Sequence, residues 1–194
     1  MIVTSHSEGS ATRLLRIGLL WLAAIGGASS AIAQTDASVI SSSQIKAAFL
    51  YNFTKFVEWP ADTFAAADRP LTIGVLRDNA LTGDLRAIVD DRIVNGRSIV
   101  VRTIRDAADV EGIQLLFVGA EEGDRFVDLL TVIDGAPVLT VGESPAFIEA
   151  GGAIAFVQQG TKLRFEINML SAERARLKIS AQLQELAVAV RRAQ

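Results

Sequence analysis

The sequence predicts a single α/β domain with a mostly parallel sheet of about six strands, an antiparallel C-terminal hairpin and about five helices on both faces. Two observations support this fold class. Between residues 71 and 150, short apolar runs alternate with segments of helical spacing, which is typical of a parallel sheet covered on both faces. Residues 151–168 then contain two strand patterns on either side of Gly160, which predicts a hairpin at one edge of the sheet.

The first helix of the domain is predicted in the stretch IKAAFLYNFTKFVEWP, residues 45–60. Its apolar stripe, expected to pack on the sheet, consists of Ile45, Ala48, Phe49, Phe53 and Phe56. Asn52 lies on or beside this stripe, and because a buried amide needs hydrogen-bond partners, we expect it to clamp the backbone of a loop. Trp59 precedes Pro60, which is expected to end the helix, so its ring either covers the core or anchors a partner.

The following elements alternate in type. Strands are predicted at residues 71–76, 98–104, 113–120 and 137–142, and helical spacing follows at 79–91, 124–133 and 144–150. The pair Asn95-Gly96 predicts a turn before the second of these strands. After the hairpin, residues 169–178 and 180–192 each predict a helix, the second with Ser180 as its N-cap and with Leu183, Leu186 and Val190 on its apolar face.

Two groups of polar residues are candidates for binding. The carboxyl ends of parallel strands often hold ligands, and Asp78 and Glu143 each follow such a strand. In the segment RFEIN, Arg164, Glu166 and Asn168 share one strand face. That face could bind a ligand or partner, but the favoured interpretation is structural: Arg164 and Glu166 pair with neighbours, and Asn168 caps the next helix.

The N-terminal part of the chain predicts export. Residues 1–33 combine a polar start containing Arg13 and Arg16, a short apolar run and a small-residue end at 31–33, which is the pattern of a cleaved signal peptide. We expect residues 34–43 to form a flexible mature N-terminus and residues 44–190 to form the domain. Cleavage reduces the 19 basic and 22 acidic residues of the whole chain to 17 and 21. These charges are scattered, so nucleic acid is not an expected partner.

The residue types that remain exclude most catalytic constellations. The single histidine, His6, lies in the segment expected to be cleaved, and the chain has no cysteine. The mature chain therefore lacks a Ser-His or Cys-His pair and a zinc site of the usual nitrogen and sulfur type. It also lacks a Gly-rich nucleotide motif. We expect no enzymatic activity and no cofactor or metal.

Five segments together resemble the YfiR family of periplasmic proteins: IKAAFLYNFTKFVEWP, VNGRSIVVR, LLFVGAEE, VLTVGES and GGAIAFVQQGTKLRFEIN. The resemblance runs from about Gln44 to Ala187. It implies a periplasmic repressor that binds an inner-membrane YfiN-like diguanylate cyclase and lowers cyclic-di-GMP and biofilm formation. It further implies that a YfiB-like, OmpA-like outer-membrane lipoprotein can sequester the repressor. Thiol-based switching is not implied, since this chain has no cysteine.

An alternative function is a periplasmic small-molecule sensor or solute-binding module, which would use the crevice beside Asp78 and Glu143 to act on another membrane sensor or on a transporter. The two hypotheses differ in what binds: a protein in the first and a small ligand in the second. In either case the edge hairpin could pair with a second copy of the chain and form a homodimer.

Overall fold

The computed structural model describes residues 40–66, 68–143 and 145–192. The predicted signal peptide and most of the predicted flexible segment lie outside these residues, and so does Ser144. The first helix, α1 (Ser42–Phe56), begins two residues before the predicted domain boundary. A capping box starts it, because the Ser41 hydroxyl accepts from the Gln44 backbone while the Gln44 side chain accepts from the Ser41 backbone.

The remaining helices and strands of the described residues follow in chain order. They are β1 (Val57–Glu58), β2 (Leu71–Leu76), α2 (Asn79–Val89), β3 (Ile93–Val94), β4 (Arg97–Ile104), β5 (Leu115–Val118), α3 (Gly123–Ile133), β6 (Leu139–Gly142), α4 (Pro145–Glu149), β7 (Ile154–Gln159), β8 (Lys162–Asn168), α5 (Met169–Arg174), β9 (Lys178–Ile179), α6 (Ala181–Leu186) and β10 (Ala189–Arg191). The fold is thus an α/β fold with six α-helices among the described residues, close to the prediction.

The main sheet has eight strands in the order β10-β8-β7-β6-β5-β2-β4-β3. Five of its strand pairs are parallel, and β7–β8 and β3–β4 are antiparallel. The predicted hairpin and the Asn95-Gly96 turn are therefore confirmed; both turn residues have positive φ, as a two-residue hairpin loop of this kind requires. The prediction of about six strands missed the short strands β3 and β10.

The C-terminal segment differs from the prediction of two long helices. Ser180 caps α6 as predicted, with its hydroxyl accepting from the Leu183 backbone at 3.2 Å, but α6 ends at Leu186. Val190 lies on β10, which pairs in parallel with β8, so the β7–β8 hairpin is internal and β10 forms the edge. The pattern was misread because Leu183, Leu186 and Val190 fit helical spacing, and β10 is too short to show strand alternation.

The buried face of α1 is rotated relative to the predicted one and shares Phe53 with it. Its buried residues are Ala47, Leu50, Phe53 and Thr54, followed by Val57 of β1. Ile45, from the predicted stripe, is exposed to 38%. The helix also ends at Phe56, before Trp59-Pro60, because the chain leaves it to pair β1 with β9 in an antiparallel two-stranded sheet.

Phenylalanine rings join α1 to the sheet. Phe53 lies 5.2 Å from Phe165 and 5.9 Å from Phe156, measured between ring centroids, and Phe49 lies within 6.0 Å of all three rings. These rings belong to the larger of two apolar clusters, which contains the buried residues of α1, α2 and β7–β8. Since edge-to-face aromatic pairs add to ordinary area burial, these rings help to attach α1 to the sheet.

On the face of the sheet opposite α1, Phe147 of α4 stacks on Phe126 of α3, with the two ring centroids 4.1 Å apart. A Cβ placed on Gly142 or on Gly152 would overlap the Phe147 ring, so both positions need the absence of a side chain. Phe147 belongs to the second apolar cluster, which includes residues of α3, α4, β2, β5 and β7. The close approach of Gly142 and Gly152 to the Phe147 ring lets this cluster pack densely.

We therefore expect Gly152→Ala to destabilise the protein by about 1–3 kcal/mol, because the added methyl group forces the Phe147 ring out of a packed core. The matched control is Gly83→Ala in α2, where nothing lies within 4 Å of the added Cβ. Since alanine favours helix, the control should gain about 0.5–1 kcal/mol. Urea denaturation measures both values, and equal stability of the two variants would contradict the packing at Phe147.

Candidate partner-binding surface

Asn52 does not clamp a loop. Its side chain is exposed on α1 and accepts a hydrogen bond from Lys55 Nζ at 3.1 Å. The prediction of a buried amide was wrong because it assumed the wrong buried face: Leu50, Phe53 and Thr54 point to the sheet, and Asn52 lies on the solvent side of α1. Asn52 remains a candidate contact residue through its exposure alone.

Beside Asn52, two cations surround the ring of Tyr51. Lys55 Nζ lies 4.0 Å and the Arg92 guanidinium carbon 5.2 Å from the ring centroid. Burial raises the pKa of Tyr51, but hydrogen bonds from Arg92 and Lys55 and their positive charges outweigh it, so the pKa lies below the ordinary value of 10.0. No local sequence pattern indicates this cluster, because Arg92 is far from Tyr51 along the chain.

Trp59 has the first of the two roles that the sequence left open, because its ring packs against the core. Its indole N–H donates to the Gln114 carbonyl at 3.1 Å. Gln114 immediately precedes β5, so this bond holds the ring at the end of the sheet where β2 and β5 begin. The half-buried ring also lines a groove of about 360 Å³. Other residues lining this groove are Glu58, Pro60, Ala61, Phe64, Leu71, Val94, Asn95 and Arg97.

Gln114 is a structural residue that the sequence analysis did not identify. It is 5% exposed, and its side-chain oxygen accepts from the Thr72 backbone at 2.7 Å while its amide nitrogen donates to the Gly112 carbonyl. Its backbone carbonyl accepts from both Trp59 and Leu139. A polar residue inside the apolar run IQLLFVGA was the available signal, since buried amides are retained where they complete hydrogen bonds.

Asp78 and Glu143 are each engaged by the fold. Asp78 caps α2, with a carboxylate oxygen accepting from the Leu81 backbone at 2.9 Å. Glu143 forms an ion pair with Lys46 of α1 and accepts from the Ala120 backbone at 3.3 Å. Glu143, at the carboxyl end of β6, was predicted to bind a ligand. In the structure its carboxylate is instead paired with Lys46.

The polar side chains of RFEIN follow the structural interpretation. Arg164 donates to the Leu186 carbonyl at 3.4 Å, and Glu166 pairs with Arg191 of β10 at 3.4 Å. Asn168 caps α5, with its side-chain oxygen accepting from the Ser171 backbone. The other strand face, containing Phe165 and Ile167, is buried as predicted.

A second groove, about 480 Å³ in volume, lies beside β8 and is mainly apolar; we call it the strand-edge groove. It is lined by Ile45, Phe49, Thr161, Lys162, Leu163, Arg164, Phe165 and Leu186. Leu186 and the nearby Val188 are exposed to 53% and 38%. Exposed large apolar side chains grouped around a groove are typical of protein interaction sites.

Two other kinds of site are absent from the part of the chain that the structure describes. Within residues 40–66, 68–143 and 145–192, no three histidine, cysteine, aspartate or glutamate side chains come together as metal binding requires. None of the helices in the part of the chain that the structure describes has the length and apolar character needed to cross a bilayer. The groove beside Trp59 and the strand-edge groove are candidate binding surfaces.

Comparison with known structures agrees with this fold. A conserved domain protein from Vibrio cholerae O1 biovar El Tor matches with a TM-score of 0.53 and 13% identity over 78% of this chain. The ABC domain from Streptococcus pneumoniae, described in complex with L-Trp, matches with a TM-score of 0.51 and 12% identity over 77%. The present chain covers 60% of each of these chains. At such identities the likeness shows the fold alone.

The class of protein is thus an α/β domain with a mainly apolar groove beside β8 of its main sheet. Residues 43–188 match the model of the YfiR/HmsC-like family, and the chain belongs to that family. The matched range begins in α1 and ends just before β10, so it contains the aromatic cluster, Gln114 and the strand-edge groove. No curated protein sequence matches the chain.

We expect Gln114→Met to destabilise the domain by about 1–3 kcal/mol, because the buried Thr72 N–H loses its acceptor. The exposed Asn52→Leu is the control and should change stability by less than about 0.5 kcal/mol. Chemical denaturation followed by tryptophan fluorescence measures both. A larger loss for Asn52→Leu than for Gln114→Met would contradict these assignments.

Tyr51 is the single tyrosine of the chain, so phenolate absorbance reports its ionisation alone. We expect the folded protein to titrate at a lower pH than the unfolded protein, because Arg92 and Lys55 favour the phenolate. Because the pKa of Tyr51 is lower in the folded than in the unfolded protein, the free energy of unfolding increases as the pH rises through the folded pKa. Arg92→Met should move the midpoint upward, whereas Arg125→Met on α3 should not; equal midpoints in both variants would refute the assignment.

Proposed function

We propose that this protein is a periplasmic, non-enzymatic regulator that binds an inner-membrane YfiN-like diguanylate cyclase and holds it inactive, lowering cyclic-di-GMP and biofilm formation. The observation that carries the proposal is the match to the YfiR/HmsC-like family over residues 43–188. The proposed export by residues 1–33 supports the compartment, since these residues have the pattern of a signal peptide.

Repression of this kind needs binding rather than chemistry. A protein that binds the inactive state of a receptor more tightly than the active state shifts the population toward the inactive state. The domain presents features suited to such binding: exposed apolar side chains at the strand-edge groove and the half-buried Trp59 at a second groove. In the proposed function, a YfiB-like outer-membrane lipoprotein of the OmpA-like type binds the regulator in competition with the cyclase. The cyclase is then released from repression.

A small-molecule sensor has less support. That hypothesis placed the ligand beside Asp78 and Glu143, and both carboxylates already have partners within the fold. A ligand at this site would first have to displace Lys46 from Glu143, at the cost of a partly buried ion pair whose side chains are 18% and 19% exposed.

The test is cellular cyclic-di-GMP in the native host after deletion of the gene. We expect deletion to raise cyclic-di-GMP, an intact copy to restore the lower level, and a copy lacking residues 1–33 to fail, because the cyclase is reached only from the periplasm. Immunoblotting of periplasmic and cytoplasmic fractions controls for expression of both copies. No change in cyclic-di-GMP on deletion would refute the proposed function.

A further inference from the structure

The strand-edge groove lies where the sheet edge is incomplete. The strand β10 covers β8 over Glu166–Asn168, and the backbone N–H of Val188 donates to the Phe165 carbonyl at 2.9 Å. Among the described residues, no strand lies beside residues 162–164 on that side. The uncovered part of β8 is about 10 Å long at the usual rise per residue. A strand edge left open in this way can pair with another extended segment.

The two faces of this uncovered edge differ in chemistry. Leu163 and Phe165 point toward α1, where Phe49 lies 5.9 Å from Phe165 and Ile45 completes an apolar wall. Lys162 and Arg164 point to the opposite face because side chains alternate along a strand. Neither cation forms an ion pair with a described carboxylate, and the groove lining contains no acidic residue.

We propose that the strand-edge groove binds an extended segment of a partner protein in which apolar and acidic residues alternate. The segment pairs with residues 162–164 as an additional strand in the line of β10. Its apolar side chains pack on Ile45, Phe49 and Leu163, and its carboxylates face Lys162 and Arg164. This inference rests on the proposed function, to which it adds the location and the chemistry of the contact.

Charge favours a different protein over a second copy of this chain. A symmetric dimer formed through the groove would use the same patch on both copies, so Lys162 and Arg164 of one copy would lie near those of the other. Like charges brought together at an interface oppose association, whereas an acidic segment neutralises both cations. A peptide with an alternating pattern also satisfies both faces of the edge at once.

The first experiment uses the mature protein and two capped hexapeptides, one of alternating valine and glutamate and one of alternating valine and lysine. We expect the glutamate peptide to shift the backbone amide resonances of residues 161–165 and to bind more tightly than the lysine peptide. In the variant Lys162→Glu/Arg164→Glu, affinity for the glutamate peptide should fall at least about tenfold and the preference should reverse.

The matched control is Lys178→Glu, which reverses an exposed lysine on β9 and should leave peptide binding unchanged. Because Arg164 also donates to the Leu186 carbonyl, thermal melting checks that the double variant folds, and Lys162→Glu alone serves as a milder variant. Equal binding of the two peptides, or shifts located away from residues 161–165, overturns the proposal. So does a dimer in sedimentation that the double variant dissociates.

A second measurement separates this inference from the proposed function. The deletion strain is restored with the wild-type protein, with Lys162→Glu/Arg164→Glu or with Lys178→Glu, and cyclic-di-GMP is compared. If only the double variant fails to lower cyclic-di-GMP, the groove contacts the partner. If all three lower it equally, the function stands and the groove proposal is wrong. If the wild type does not lower it, the function is wrong and the peptide titration decides whether the groove binds such segments.

Discussion

The packing of α1 on the β7–β8 hairpin joins the first helix of the domain to the C-terminal part of the main sheet. Phe53 is fully buried between Phe156 and Phe165, which come from parts of the chain about a hundred residues away. From there the chain continues directly into β1, which pairs with β9, so the first helix and the C-terminal segment are held together. The exposed ion pair between Asp62 and Arg176 lies next to this junction and adds little by itself.

This packing also determines which edges of the sheet remain available. Because α1 crosses the domain with Lys46 at Glu143, it occupies part of the carboxyl end of the parallel strands, where open α/β sheets commonly hold ligands. At the opposite end, Trp59 and Gln114 close the sheet with hydrogen bonds. At the lateral edge beside β8, backbone and apolar side chains are accessible together.

One strand, β8, completes the core and, in the proposed mode of binding, also contacts the partner. Phe165 and Ile167 complete the core, Glu166 and Asn168 hold β10 and α5, and only the first residues of the strand remain uncovered. A regulator built in this way can bind a partner without rearranging its core, because the uncovered edge is already fixed by the covered part of the same strand. Preorganisation of that kind lowers the entropy cost of binding.

The sequence by itself determined the fold class, the buried strands, the hairpin and the turn at Asn95-Gly96, and it favoured the capping role of Asn168. These features are local: apolar runs, alternation and capping residues are visible within a few positions. Only the tertiary structure decided which face of α1 is buried, because that helix has apolar residues on more than one side. It also decided that residues 189–191 form a strand and that Gln114 joins Thr72 and Trp59. Such pairings connect residues far apart in the chain, and no local pattern records them.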